Sequence, residues 1–226
     1  MPRPPAATTS FDVPLAAGLV LLVATGFVDS YTFLAHGHVF AEAMTGNLVL
    51  IGIGAVEPDI VAFWRPLAAY GAFVAGVALL WWIGRRRRSV TRAPQVATLA
   101  FEIGVLGVVG FLPTSVPQVI VVTAIAFASG LQIAAFRRLG LAKFTTTVMT
   151  SNSLHTVDAT LTALASGTRE DRGAAAQLAG GLAAFMVGVF GGALLTRQLD
   201  TRASWIAAGV FVVAGALWLR PSSRRS

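Results

Sequence analysis

The chain has 226 residues, of which 55% are hydrophobic and only 12% are charged, and its mean hydropathy is +0.73. This composition excludes a water-soluble domain, in which about a quarter of the residues carry charge. The net charge of +7 comes from basic residues between and beyond the apolar runs, including Arg85 to Arg88, which indicates lipid headgroups rather than nucleic acid as their partner.

In chain order, residues 1–12 predict a short disordered arm, and residues 221–226 form a basic tail. Between them lie six apolar stretches of bilayer-spanning length, the first too long for a signal peptide and therefore predicted to remain uncleaved. Pro66 and Pro117 stand where the second and fourth spans are expected to begin. The predicted spans are Leu15–Leu34, Leu67–Gly84, Val96–Leu112, Gln118–Phe136, Ala174–Leu195 and Ala203–Leu219.

Two further segments, residues 38–56 and 143–165, are too polar or too short for full spans, and they resemble each other. The first contains MTGN at Met44–Asn47, and the second contains MTSN at Met149–Asn152. Ala-Thr-Gly precedes the first motif as Ala-Ser-Gly precedes the second, and Ala-Phe and Gly-Val pairs follow both. This order predicts a tandem duplication, with repeats at residues 13–113 and 114–220.

The distribution of lysine and arginine favours motif segments that enter and leave the membrane on the same side. That arrangement gives fourteen basic residues inside against three outside (Arg65, Arg197 and Arg202), whereas eight full crossings give ten against seven. Three full spans per repeat then require opposite insertion of the two halves. The predicted fold is therefore all-α, with two inverted repeats of three spans plus one broken or re-entrant segment each, and with both termini cytoplasmic.

After Asn47 the apolar stretch reaches only to Val56, about half the thickness of the hydrocarbon layer. Thr45 and Asn47 are N-cap residue types, and Gly46 permits unusual backbone angles. Two such half-helix starts near the midplane would offer unpaired N–H groups to a small polar or anionic solute. The alternative is that the motifs only pack helices. The predicted solute-binding residues are Thr45, Gly46, Asn47, Thr150, Ser151 and Asn152.

Four carboxylates lie within or beside apolar stretches: Asp29, Glu42, Glu102 and Asp158. Burying a charge at membrane depth is costly, so such residues usually face the interior and carry function. Asp29, Glu102 and Asp158 are predicted to couple transport to an ion. Pairing with a neighbour, or an interfacial position, is an equal alternative for Asp29 and Glu102 and the preferred one for Glu42.

The sequence offers little to support catalysis or a cofactor. It has no cysteine, its three histidines (His36, His38 and His155) lack a zinc-site spacing, and no nucleophile or phosphate-loop motif occurs. We therefore predict no enzyme, no metal and no cofactor. The expected partners are the lipid bilayer and a small-molecule solute, with a homo-oligomer possible; nucleic acid is not expected.

The run from Gly26 to Gly54 reads GFVDSYTFLAHGHVFAEAMTGNLVLIGIG. It resembles the signature of the YoaK family of bacterial integral membrane proteins, most specifically at Asp29 and at Met44–Asn47, and the similarity extends from about Val13 to Leu219. The resemblance implies a location in the bacterial inner membrane and brings no established substrate. The leading hypothesis is a secondary transporter or permease, ahead of a non-transporting scaffold or partner-binding subunit and of an intramembrane enzyme.

Overall fold

The structure is a computed structural model, and it describes residues 13–86, 92–136 and 149–220. The predicted arm at residues 1–12 and the tail at 221–226 lie outside the described residues. So do Arg87 and Arg88 of the basic loop and residues 143–148 of the second motif segment.

The described residues form eight α-helices and one 3₁₀ turn, with no β-strand among them. The first repeat holds α1 (Leu15–Ala35), α2 (Met44–Gly54), α3 (Ile60–Arg86) and α4 (Ala93–Val109). The second repeat holds α5 (Gln118–Ala135), α6 (Met149–Ser166), α7 (Arg169–Leu199), the 3₁₀ turn Asp200–Arg202 and α8 (Ala203–Leu219).

Four helical stretches of the described chain are long and apolar enough to cross a bilayer: Leu15–Ala35, Ile60–Arg85, Gln118–Ala135 and Arg169–Leu219. The last of these contains α7 and α8, joined by the 3₁₀ turn. The helices α2 and α4 are apolar but shorter. The spans predicted at α1, α5 and α8 agree with the helices to within one residue at each end.

Three helices begin earlier than the sequence predicted: α3, α7 and α4, which begins at Ala93 and not at Val96. Pro66 was expected to start a helix but lies inside α3, which begins at Ile60. Pro66 leaves the carbonyl of Ala62 without its usual partner, and the end of α2 packs there through Gly54, where a Cβ would overlap that carbonyl. The helix α7 begins at Arg169 because Thr168 caps it, accepting the Asp171 N–H at 3.2 Å.

The two repeats interlock through reciprocal helix crossings. The first helix of each repeat packs chiefly against the third helix of the other, α1 against α7 and α5 against α3. The remaining contacts also match in pairs: α2 with α3 as α6 with α7, and α1 with α8 as α5 with α4. The helix contacts of the first half of the chain thus have counterparts in the second half.

Glycines at equivalent positions make these crossings close. A Cβ at Gly26 of α1 would overlap the Phe185 carbonyl of α7, and a Cβ at Gly130 of α5 would overlap the Phe73 carbonyl of α3. Small residues at such points let helix backbones approach, which is how helices associate without a hydrophobic driving force in lipid. As a result α1 and α5 are the most buried helices, and the polar groups they carry lie at the centre of the molecule.

Candidate functional site

The chain reverses direction after α1 and runs back beside it. Gly37 adopts a left-handed backbone with φ +84°, which allows the sharp turn. Along the returning segment, Asp29 Oδ1 accepts the backbone N–H groups of Glu42 at 2.8 Å and Ala43 at 3.1 Å. Thr32 similarly accepts the Ala41 N–H at 3.2 Å. Asp29 therefore satisfies non-helical backbone that would otherwise be unpaired inside the protein.

The first motif begins α2 rather than preceding it. The helix starts at Met44, and its N-cap is Ala43, which makes no side-chain capping bond, so the predicted capping by Thr45 and Asn47 is wrong. Instead the buried Asn47 binds the returning segment at two points. Its Oδ1 accepts the Phe40 N–H at 3.0 Å, and its Nδ2 donates to the Phe40 carbonyl at 2.7 Å.

We expect Asn47→Ala to destabilise the protein strongly, because it strands both backbone groups of Phe40 away from water. Each unpaired buried group costs about 1–3 kcal/mol, so the melting temperature in detergent should fall clearly. Thr45→Ala is the matched control, since Thr45 is exposed and belongs to the same motif. Equal melting temperatures for the two variants would contradict the role assigned to Asn47.

The second motif reproduces part of this arrangement. Asn152 of α6 is buried like Asn47, and its Nδ2 lies 3.8 Å from Met149 Sδ, as Asn47 Nδ2 lies 3.7 Å from Met44 Sδ. Gly46 and Ser151 differ because a Cβ at Gly46 would press on the Phe40 ring. Thr45 and Thr150 are both exposed.

The two motifs begin helices that pack against different neighbours in the described part of the chain. The helix α2 packs on α3 and α6 packs on α7, and no extensive packing joins α2 to α6. Within each motif, the asparagine is buried while the threonine faces outward. The six predicted solute-binding residues thus occupy equivalent places at the starts of α2 and α6.

Three of the four candidate carboxylates do come together. Asp29, Glu42 and Glu102 are all buried, and the Glu42 carboxylate lies near those of Asp29 and Glu102. The Glu42 side chain is 2% exposed, so it faces the interior of the protein. Asp158 does not join them, because it lies on an exposed face of α6.

Two polar residues, Thr25 of α1 and Ser129 of α5, complete this carboxylate cluster, and the sequence prediction missed them as functional candidates. Ser129 donates to Glu102 Oε1 at 2.9 Å, and the hydroxyls of Thr25 and Ser129 both face Glu42. Gln132 lies one turn beyond Ser129 and is fully buried with no hydrogen-bond partner for its amide. The available signal was the match between Ala-Thr-Gly and Ala-Ser-Gly, which makes Thr25 and Ser129 equivalent.

The negative charges of the carboxylate cluster are not balanced by cations in the described chain. Among the described residues, no lysine or arginine is an electrostatic partner of Asp29, Glu42 or Glu102. Within residues 13–86, 92–136 and 149–220, no partner meets full hydrogen-bond geometry at either oxygen of Glu42 or at Oε2 of Glu102. The described part of the chain also contains no group of three or more histidines or carboxylates arranged to hold a metal ion. Chemically, such a cluster suits the binding and release of a proton.

A small polar cavity of about 150 Å³ lies at the end of α1. Its lining includes His36, Thr114, Gln118, Asp200 and Thr201. His36 Nε2 lies 2.8 Å from the Tyr31 hydroxyl, which in turn donates to the Thr201 carbonyl at 3.0 Å. These bonds fasten the end of α1 to the turn between α7 and α8.

Burial lowers the pKa of His36 to about 4, against a weaker opposing effect of the Asp200 charge. Because the unfolded chain binds this proton near pH 6.5, stability should fall as the pH drops from about 6.5 to about 4, by at most about 3 kcal/mol. Thermal unfolding of the wild type and of His36→Gln over this pH range tests this prediction. The stability of the variant should depend less on pH than that of the wild type. His38→Gln, on an exposed residue, should match the wild type; a His36→Gln profile parallel to the wild type would refute the assignment.

A second cavity, of about 470 Å³, opens between α3, α4 and α5 and is lined almost wholly by apolar groups such as Phe101, Ile120 and Phe127. Neither cavity is lined by the motif residues.

Apolar helices of spanning length packed around a buried polar centre define a helical transmembrane protein. The chain belongs to the YoaK family: the family model described as "Protein of unknown function (DUF1275)" matches residues 17–217. It is 30% identical over 135 residues to the UPF0700 transmembrane protein YoaK of Bacillus subtilis (strain 168), which covers 58% of this chain. The matched region spans 60% of that relative's length. No solved structure matches the chain.

Proposed function

We propose that this protein is a secondary transporter for a small polar or anionic solute in the bacterial inner membrane. The observation that carries the proposal is the cluster of Asp29, Glu42 and Glu102, buried without a cationic partner among the described residues. A scaffold has no need of such groups, because uncompensated carboxylates at membrane depth destabilise the fold. Proton-coupled transporters require them.

The reciprocal crossing of the repeats supports the same proposal. With three full spans in each half, the halves insert in opposite senses, and the carboxylate cluster lies where they cross. Coupling sites of inverted-repeat transporters lie at this kind of interface. In this topology the cavity beside His36 opens to the periplasm, together with Arg65, Arg197 and Arg202.

The two motifs then act as paired supports for the transport path. Asn47 holds the returning segment that carries Glu42, and exposed Thr45 and Thr150 with half-buried Gly46 and Ser151 are available to a solute at the starts of α2 and α6. Asn152 occupies the place of Asn47 in the second repeat. Asp29 and Glu102 remain the coupling residues of this proposal, whereas Asp158, exposed on α6, would act only from the surface of the bundle.

The direct test is solute-evoked proton movement in proteoliposomes. The purified protein is reconstituted with a pH-sensitive dye inside, and small organic acids, amino acids, amines and polyols are added singly. At least one class should change the internal pH with the wild type. Glu102→Gln should abolish that change while leaving insertion and melting temperature near wild type, because the amide retains the shape of the side chain.

Glu170→Gln is the matched control, since Glu170 is an exposed carboxylate in the first turn of α7. It should transport as the wild type does. If no solute moves protons or accumulates, while a partner protein co-purifies stoichiometrically and requires the motif residues, the protein is a scaffold instead.

The topology is tested independently by reporter fusions after Arg92 and after Ser226. Both should report the cytoplasm, because fourteen of the seventeen basic residues then lie inside. A fusion after Glu57 should report the periplasm. A periplasmic C-terminus would overturn the inverted repeat.

A further inference from the structure

We propose that Glu42 and Glu102 form a single proton-binding site at the crossing of the two repeats. The Thr25 hydroxyl of one repeat and the Ser129 hydroxyl of the other face this site. The site binds its proton whether or not the protein transports. That this proton is the one that drives transport rests on the proposed function.

The geometry around Glu42 points to a ligand. Its side chain is buried, and within the described part of the chain neither carboxylate oxygen has a partner at full hydrogen-bond geometry. The buried hydroxyl of Thr25 faces this carboxylate and is placed to donate to it. Native proteins seldom leave several neighbouring buried polar atoms unpaired, so their convergence on one point indicates a group that binds there.

The position relative to the repeats is equally specific. Thr25 and Ser129 occupy equivalent places, each directly before the glycine at a close helix crossing, Gly26 or Gly130. Both hydroxyls face Glu42. The position equivalent to Glu42 in the second repeat lies outside the described residues. One carboxylate thus lies between matching hydroxyls of two repeats. A movement of one repeat against the other would change its surroundings directly.

The charges identify the ligand as a proton. Asp29 and Glu102 are the charged groups that face Glu42, and both are acidic. Neighbouring buried carboxylates cannot all be ionised, because each desolvated charge costs several kcal/mol and like charges repel. In the described chain, no group of three or more histidines or carboxylates is arranged to hold a metal ion.

The proton would lie between neighbouring carboxylates. Bound to either Glu42 or Glu102, it removes one of two neighbouring negative charges, and Glu102 Oε2 is the oxygen that Ser129 leaves free. Asp29 is not needed for this step, because its Oδ1 is occupied by the backbone N–H groups of Glu42 and Ala43. Release of the proton leaves two anionic carboxylates, with Thr25 able to donate to Glu42.

Infrared difference spectroscopy of the purified protein during a pH titration tests the site without any solute. Two carboxylates that share a proton titrate in two coupled steps. In Glu42→Gln and in Glu102→Gln one step should disappear, and the remaining carboxylic-acid signal should lose its proton at lower pH than the last step of the wild type. The double variant should lose both signals. Glu57→Gln, on an exposed carboxylate, should leave the spectrum unchanged.

Two results would overturn the shared site. Midpoints that stay fixed in each single variant would show two independent carboxyl groups. Loss of the carboxylic-acid signal on replacing choline by sodium at constant ionic strength, together with a higher melting temperature, would show an alkali-cation site. If a single variant fails to fold, Thr25→Val offers a second route, because it should shift the midpoints without removing a carboxyl group. If Glu42 and Glu102 titrate as a coupled pair but no solute is transported, the transport proposal fails while the shared proton site stands.

Discussion

Gly26→Ala and Gly130→Ala should each lower stability and yield markedly, and the double variant should not accumulate as folded protein. A Cβ at either position overlaps a backbone carbonyl, that of Phe185 or of Phe73, and no side-chain rotation can relieve the overlap. Overpacking costs about 1–3 kcal/mol even when side chains can adjust, so each change should lie at or above that range. Thermal unfolding in one detergent, with yield after purification, measures the effect.

Gly104→Ala and Gly191→Ala are the matched controls. Both glycines lie in helices, and a Cβ at either one meets no atom within 4 Å. Alanine favours a helix over glycine by up to about 1 kcal/mol, so the controls should be as stable as the wild type or slightly more stable. If the two pairs of variants behaved alike, the close crossings of the repeats would not be what holds this bundle together.

Asp29→Ala should be among the most damaging single changes in the chain. It removes the acceptor of two buried backbone N–H groups, those of Glu42 and Ala43, at a cost of about 1–3 kcal/mol each. The returning segment would lose its hold on α1, and Glu42 would move with it. Melting temperature and yield should both fall.

Asp29→Asn separates this role from ion coupling, because an amide oxygen still accepts both hydrogen bonds. Near-normal stability with normal uptake would identify Asp29 as a support for the backbone. Near-normal stability with no gradient-driven uptake would identify it as a coupling group as well. A stable Asp29→Ala variant would show that the hydrogen bonds to the returning segment contribute little.

Helix positions could be predicted where apolar length and a polar or proline boundary coincide, as at α1, α5 and α8. The start of α3 could not, because a proline suits a helix start in general and only tertiary packing shows why Pro66 is accepted inside. The end of α2 covers the carbonyl of Ala62 that Pro66 leaves unpaired, and this contact joins segments with no periodic relation in sequence.

The candidate site was predictable in part. Asp29 and Glu102 lie within long apolar stretches, so their burial follows from composition. Glu42 lies in a short non-helical segment, where no periodicity indicates which way a side chain points. Its burial depends on the turn at Gly37 and on the hydrogen bonds that the returning segment makes with Asp29 and Asn47. In the sequence, Thr25 and Ser129 could be identified only as equivalent positions of the duplication. The helix crossing shows that both lie near Glu42.

Alternating access to the buried centre tests the central claim, transport, most directly. The chain has no cysteine, so Thr25→Cys introduces a single thiol facing Glu42. Right-side-out and inverted vesicles are treated with a membrane-impermeant maleimide at several pH values, with Glu57→Cys as a control expected to react only from the periplasmic side. A transporter should expose the thiol at position 25 to each side in turn, with pH changing the two labelling rates in opposite directions. A thiol that stays unlabelled from both sides at every pH, in folded protein, would contradict transport.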